Sequence, residues 1–230
     1  MKSTMRLIGI IALVAIIGFT MTGCGGDDDD KLPPAGNGSV TFPLTGSVYT
    51  WVEDEKLVKY FGDEINFDYF LYWVEDEDDY EDILIQLSDL GSGTWEVKVS
   101  SNGSLSLTLG TPNDDILDDI SNISGLSVTS GLKIFKMPHF GDPGVSYLEW
   151  QRQDDYALVE FVYANKNGKV NGKFEAEYDN DEAVYLFNWD LKQGWNTVIF
   201  TEKRNEKTNT WTITSVTGKP DNSFRWMCHY

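Results

Sequence analysis

Two histidines and two cysteines are all that 230 residues supply for the commonest nucleophile and metal chemistries: His139, His229, Cys24 and Cys228. A Cys-His pair would have to join Cys228 to one of the histidines. Neighbours such as Cys228 and His229 on a strand point to opposite faces, which works against that pairing. Cys228 shares the parity of Phe224, Trp226 and Tyr230, the pattern of a buried structural thiol. A zinc site needs three or four ligands at suitable spacing, and no obvious set occurs. There is no Gly-x-Ser-x-Gly elbow, His-Glu-x-x-His, Walker loop or strand-to-helix Gly-x-Gly-x-x-Gly. Paired carboxylates for glycoside hydrolysis are available anywhere among 37 acidic residues, so their presence selects no pair. The expectation is a protein without catalytic residues, a glycan-active hydrolase being the least favoured alternative.

Two other residue patterns bear on binding. Glu75-Asp76-Glu77-Asp78-Asp79-Tyr80-Glu81-Asp82 carries seven carboxylates in eight positions between two expected strands. Hard cations prefer such oxygen ligands, so Asp76, Asp78 and Asp79 are weak candidates for Ca²⁺. The run lacks the glycine and spaced terminal glutamate of an EF-hand loop, and a solvated acidic loop explains it equally. The aromatic residues are more suggestive. Tyr69 and Trp73 share one parity of a strand with Phe67, and Tyr185 and Trp189 share another with Phe187. Flat rings beside acidic and amide side chains resemble the platforms of carbohydrate-binding sandwiches. The alternative is a two-layer core, in which strands buried on both faces read as continuous apolar runs.

The chain carries 18 Lys and Arg against 37 Asp and Glu, a formal net charge of −19. Counterion release needs clustered Lys and Arg, so nucleic acid is not an expected partner. Hydrophobic residues at 41% and aromatics at 13% exclude a disordered chain and favour β-structure.

The elements that must position these residues begin after an export signal. Lys2 and Arg6 precede the apolar run Leu7–Phe19, too short to span a bilayer and closed by small residues. Thr22-Gly23-Cys24 resembles the lipobox of bacterial lipoproteins, with Met21 where many have Leu, and relaxed lipoboxes of this kind resemble those of spirochaete surface lipoproteins. The resemblance implies cleavage before Cys24, covalent lipid such as palmitate on that residue, and residence on a bacterial outer membrane. An ordinary secretory signal is the alternative. Loss of residues 1–23 would leave 16 basic and 37 acidic residues, net −21, so lipid rather than charge would hold the protein to a membrane.

Residues 24–39, with Asp27-Asp28-Asp29-Asp30-Lys31 and Leu32-Pro33-Pro34-Ala35-Gly36, read as a flexible tether. An acidic run behind the acylated cysteine resembles a surface-export signal, which implies display at the cell surface; a spacer facing the periplasm is the alternative.

From about residue 40 onward short apolar or alternating runs separated by turn signals predict an all-β fold, an antiparallel sandwich. Its expected parts are 40–127 and 128–230, as two small sandwiches or one large one. Expected hairpins close at Asn102-Gly103, at Asn165–Gly168 joining 156–164 to 170–178, and at 206–209, with a last strand over 224–230. One helix is expected at 112–124, with Thr111 as N-cap, Pro112 at N1, and Ile116, Leu117, Ile120 and Ile123 on one face. Gly110-Thr111-Pro112 before this helix, and Leu191–Asn196 after an apolar strand, are similar to uncharacterised spirochaete lipoproteins. Such families imply location and fold but no chemistry. The expected function is therefore a lipid-anchored, non-catalytic module binding a glycan or a host or envelope protein. The alternative is a structural or envelope-assembly lipoprotein.

Overall fold

A computed structural model describes residues 34–52, 56–76, 79–137, 139–141, 147–152, 157–178, 181–205 and 207–229, with backbone alone over 71–84, 177–178 and 181. The first strands are β1 (Leu44–Val52), β2 (Lys56–Lys59), β3 (Ile65–Asn66), β4 (Tyr69–Asp76) and β5 (Asp79–Gln86). Next come β6 (Gly91–Ser92), β7 (Glu96–Val99), β8 (Ser104–Thr108), β9 (Thr111–Pro112) and β10 (Asp118–Asp119). They are followed by β11 (Leu126–Val128), β12 (Lys133–Met137), β13 (His139–Gly141), β14 (Tyr147–Arg152) and β15 (Ala157–Ala164). The long strands come last: β16 (Gly168–Tyr178), β17 (Asp181–Leu191), β18 (Gly194–Asn205), β19 (Thr210–Thr217) and β20 (Arg225–His229). The fold is all-β and sandwich-like.

A continuous series of paired strands runs β3, β7, β8, β1, β20, β14, β15, β18, β19, β17, β16, β11. Only the β1–β20 and β17–β19 pairings in it are parallel. Strands from either side of residue 127 pair with each other, as in β1 with β20 and β4 with β13.

Two hairpin turns form where Asn-Gly and polar tetrapeptides predict them. Val99 faces Leu105 across Asn102-Gly103, and Gly103 takes φ 73°. A Cβ there would stand 2.6 Å from the Tyr60 carbonyl oxygen, so only glycine fits. Asn205 faces Thr210 at the β18–β19 turn.

The centre of the fold is β15. Along one edge it pairs with β18; along the other, first with β14 and then with β12. Both its faces are covered: Phe161 joins the first core with Phe140, Leu148 and Trp226, while Leu158, Val162 and Ala164 join the second. A strand buried on both sides reads as an unbroken apolar run, and Ala157–Ala164 does so except at Glu160.

Three expectations are corrected. The helix at 112–124 does not form: Pro112 pairs with Gly91 in a short strand and only Asp114–Ile116 makes a 3₁₀ turn. Its apolar residues, spaced as on one helical face, are divided between two cores, with Ile116 and Leu117 against the first and Ile120 and Ile123 against the second. Tertiary packing outweighs a short segment's helical periodicity.

The hairpin joining 156–164 to 170–178 is also absent, since β15 and β16 do not pair and β16 pairs with β17 and β11. Asn165–Gly168 instead carries the chain from β15 to β16, two strands of one continuous sheet that do not pair with each other. Asn165 Oδ1 accepts from the Lys133 N–H at 2.9 Å and Asn167 Oδ1 from the Gln193 N–H at 2.8 Å, so side-chain amides stitch the crossing. Finally, the end of the expected tether belongs to the folded unit. The Gly36 N–H donates to the Thr217 carbonyl at 2.7 Å and Ser39 bridges Asn196.

Candidate functional site

The second core borders a partly open cavity of about 270 Å³. Long strands build its walls: Val170 and Phe174 from β16, Phe187 and Trp189 from β17, Phe200 from β18. These side chains face one another because the β16–β17 register sets Val170 opposite Trp189 and Phe174 opposite Tyr185. The remaining wall is the segment from Asp118 to Leu126, seated on β16 by two glycines. A Cβ on Gly172 would stand 2.1 Å from the Gly125 carbonyl oxygen, and one on Gly125 2.1 Å from that of Lys173. Both have positive φ, so this close crossing needs glycine at each.

One cation lines this apolar wall. Lys136 on β12 has an 11% exposed side chain, and its Nζ stands 2.8 Å from Glu160 Oε2 on β15 and 4.4 Å from the centroid of the Phe200 ring. Glu160 is fully buried, and neither of its carboxylate oxygens has a partner of hydrogen-bond geometry, Oε2 being held by the ion-pair contact with Lys136. Burial pushes the Glu160 carboxyl above its ordinary range, and Lys136 opposes that shift. Desolvating two ions costs several kcal/mol each, so this pair is not the cheapest way to fill a core. It puts a polarising ammonium on the wall of an apolar cavity. Neither residue stood out in the sequence, although a lone charge inside Ala157–Ala164 was the signal for Glu160.

The aromatic candidates are distributed differently from an exposed platform. Tyr185 and Trp189 are each 3% exposed, and so the surface-platform expectation is corrected for both. Tyr185 stacks on Phe174 with centroids 4.6 Å apart, and the Trp189 indole donates to Ser215 Oγ at 2.6 Å. Their rings face inward because β17 lies across the second core, which takes its odd-numbered residues Ala183 to Leu191. Tyr69 is half-buried at the start of β4, opposite Gly141. Trp73 sits opposite Asp82 in the β4–β5 pair, and its side chain lies outside the described residues. Among the described residues the exposed large apolar side chains are Trp51, Val52 and Phe61, none of which the sequence singled out.

The described part of the acidic run lies in strands and not in a loop between them. β4 continues to Asp76 and β5 begins at Asp79, directly opposite it, because backbone pairing extends into the carboxylates on both strands. Asp78 lies outside the described residues, as does Cys24. No group of three metal-ligating side chains occurs among the described residues.

Both histidines converge on one carboxylate. Glu149 on β14 places Oε1 2.8 Å from His229 Nε2 and Oε2 3.6 Å from His139 Nδ1. Tyr147 stacks on His229 at 4.4 Å. The cluster lies on the face of β14 and β20 opposite that carrying Leu148 and Cys228 into the first core. Cys228 is 1% exposed and burial pushes its thiol up to about 11, so it is the inert structural thiol its parity predicts.

Burial holds His139 down, from the usual 6.5 to about 4, against the pull of Glu149. Its folded-state value is below the unfolded one, so its contribution is complete above pH 6.5 and lost as pH falls toward 4. The loss approaches about 3 kcal/mol at the acid end. Glu202, pushed up to about 7 by desolvation, acts in the opposite sense: its contribution is present at low pH and lost as pH rises toward 7. The His139→Gln variant should therefore lose less stability than the parent when urea unfolding at pH 7 is compared with pH 4.5. An equal loss in both would contradict the assignment.

With the fold and site defined, comparison with known proteins adds no relative: no family model, no curated protein and no solved structure matches this chain.

Proposed function

We propose that this chain is a non-catalytic binding module, anchored by lipid on Cys24 and displayed on a bacterial outer membrane. The cavity of the second core supports the binding half of this reading, being a concave apolar site with a single positioned cation. Burial of Tyr185 and Trp189 moves recognition away from stacking on an exposed sugar face and toward this cavity. The anchoring half rests on Leu7–Phe19 followed by Thr22-Gly23-Cys24.

Cells fed labelled palmitate should incorporate it into the parent chain and not into Cys24→Ala, and protease added to intact cells should remove the protein. Absence of label overturns the anchor, and survival in intact but not lysed cells overturns surface display. Binding is read from the melting temperature of the full chain in vesicles, which a ligand of the folded state raises. Screening glycans, matrix proteins and an organic extract of the envelope without any rise would leave the structural envelope component as the better reading. The same inward-facing aromatic rings already favour that second reading over a glycan platform.

A further inference from the structure

The structure assigns to the cavity a specific ligand chemistry: a neutral, mainly apolar small molecule with one hydrogen-bond acceptor, held by the Lys136 ammonium. This rests on the binding-module reading above and names the ligand class of its site.

Size comes first. A cavity of 150 Å³ lined by aliphatic and aromatic groups accommodates benzene, and drug-sized ligands occupy about 300 Å³ or more. At about 270 Å³ this one suits roughly ten to fifteen non-hydrogen atoms, a medium-length chain or one or two rings. The inner walls include Ile120, Ile134, Val170, Trp189 and Phe200, each less than 5% exposed, while exposed Asn122, Ser124 and Glu175 form the mouth, so the apolar part of such a molecule is taken out of water at the inner end.

Polarity follows from Lys136. An ammonium has three N–H donors, and the ion-pair contact with Glu160 Oε2 at 2.8 Å engages at most one of them. A pure hydrocarbon would add further apolar surface around this ammonium and supply no acceptor, whereas a carbonyl or hydroxyl oxygen accepts from it at a wall where the side chain is only 11% exposed.

Charge is decided by what surrounds the pair. Glu160 already neutralises Lys136, and Asp118 and Glu175 stand in the cavity lining, Glu175 bound to Lys173 at 2.9 Å. An anionic head would meet those carboxylates on a chain of net charge −19 and would compete with Glu160 for the ammonium. A cationic head would meet Lys136 itself. A neutral acceptor alone leaves the Lys136–Glu160 pair intact.

The test uses the full chain in vesicles with a diazirine-bearing decan-2-one as photolabel, so that the position of the label separates cavity from membrane. Labelled peptides should map to 118–126, 133–137, 168–175, 187–189 or the stretch around Phe200, which together line the cavity. Decan-2-one should protect at concentrations about tenfold lower than decane or decanoate, the worth of one hydrogen bond to a charged donor. The double variant Lys136→Met/Glu160→Leu keeps the wall apolar. It should retain the label position and lose the preference for the ketone over decane.

Labelling elsewhere, equal protection by decane and ketone in the parent, or best protection by decanoate each overturns the assignment. If labelling fails while a glycan or matrix protein still raises the melting temperature, the binding module stands and only this ligand class falls. If both fail, the binding reading falls with it.

Discussion

Lys136→Met should destabilise the fold by about 3–5 kcal/mol near neutral pH, because it leaves the fully buried Glu160 without its counter-ion. The effect should depend on pH. Burial already pushes the Glu160 carboxyl up, and removing the ammonium removes the influence that opposes this shift. A group raised in the folded state contributes most at low pH and less as pH rises through its folded value. The variant should thus be closer to the parent at pH 5 than at pH 8 in urea unfolding. Lys136→Met/Glu160→Leu should recover most of the loss, since an apolar pair of similar volume removes both desolvation penalties. A single variant with parental stability at every pH would mean that Glu160 is not held by Lys136. A double variant no better than the single would mean that packing, not charge, makes the difference.

Trp189→Ala is the second large effect, also about 3–5 kcal/mol. The indole is 3% exposed, packs edge-on against Phe187 at 5.3 Å and donates to Ser215 Oγ, which is itself buried. Truncation enlarges a cavity already present and leaves that hydroxyl without its donor. Tyr69→Ala, at a half-buried position on β4, should cost about 1 kcal/mol. Denaturant midpoints of the two variants distinguish a core from a platform. If Trp189→Ala kept the parental midpoint and lost only affinity for a glycan, an outward-facing platform would be the correct account.

Much of the fold was legible in the sequence because its signals are local. Asn102-Gly103 closes β7 onto β8 because a positive φ is needed between Ser100 and Ser104, whose groups hydrogen-bond across the turn. The parity of Phe224, Trp226 and Cys228 predicts a buried face of β20, and Trp226 and Cys228 lie in the first core, although Met227 on the other face is buried as well. The site was less legible. Tyr185, Phe187 and Trp189 form the row expected from alternation, but alternation is the same for a row facing a core and a row facing solvent.

The sequence by itself determined an all-β chain, its alternating faces, two of its hairpins, and the absence of the familiar catalytic motifs, since these follow from period-two patterning and turn chemistry within a few residues. Tertiary structure alone decided that 112–124 bridges two cores instead of forming a helix, and that β16 leaves β15 to pair with β17. It also decided that Lys136 and Glu160, 24 positions apart, meet beside a cavity. Each of these depends on which distant strand covers a given face, and burial against a partner remote in sequence outweighs the local preferences that a linear reading can weigh.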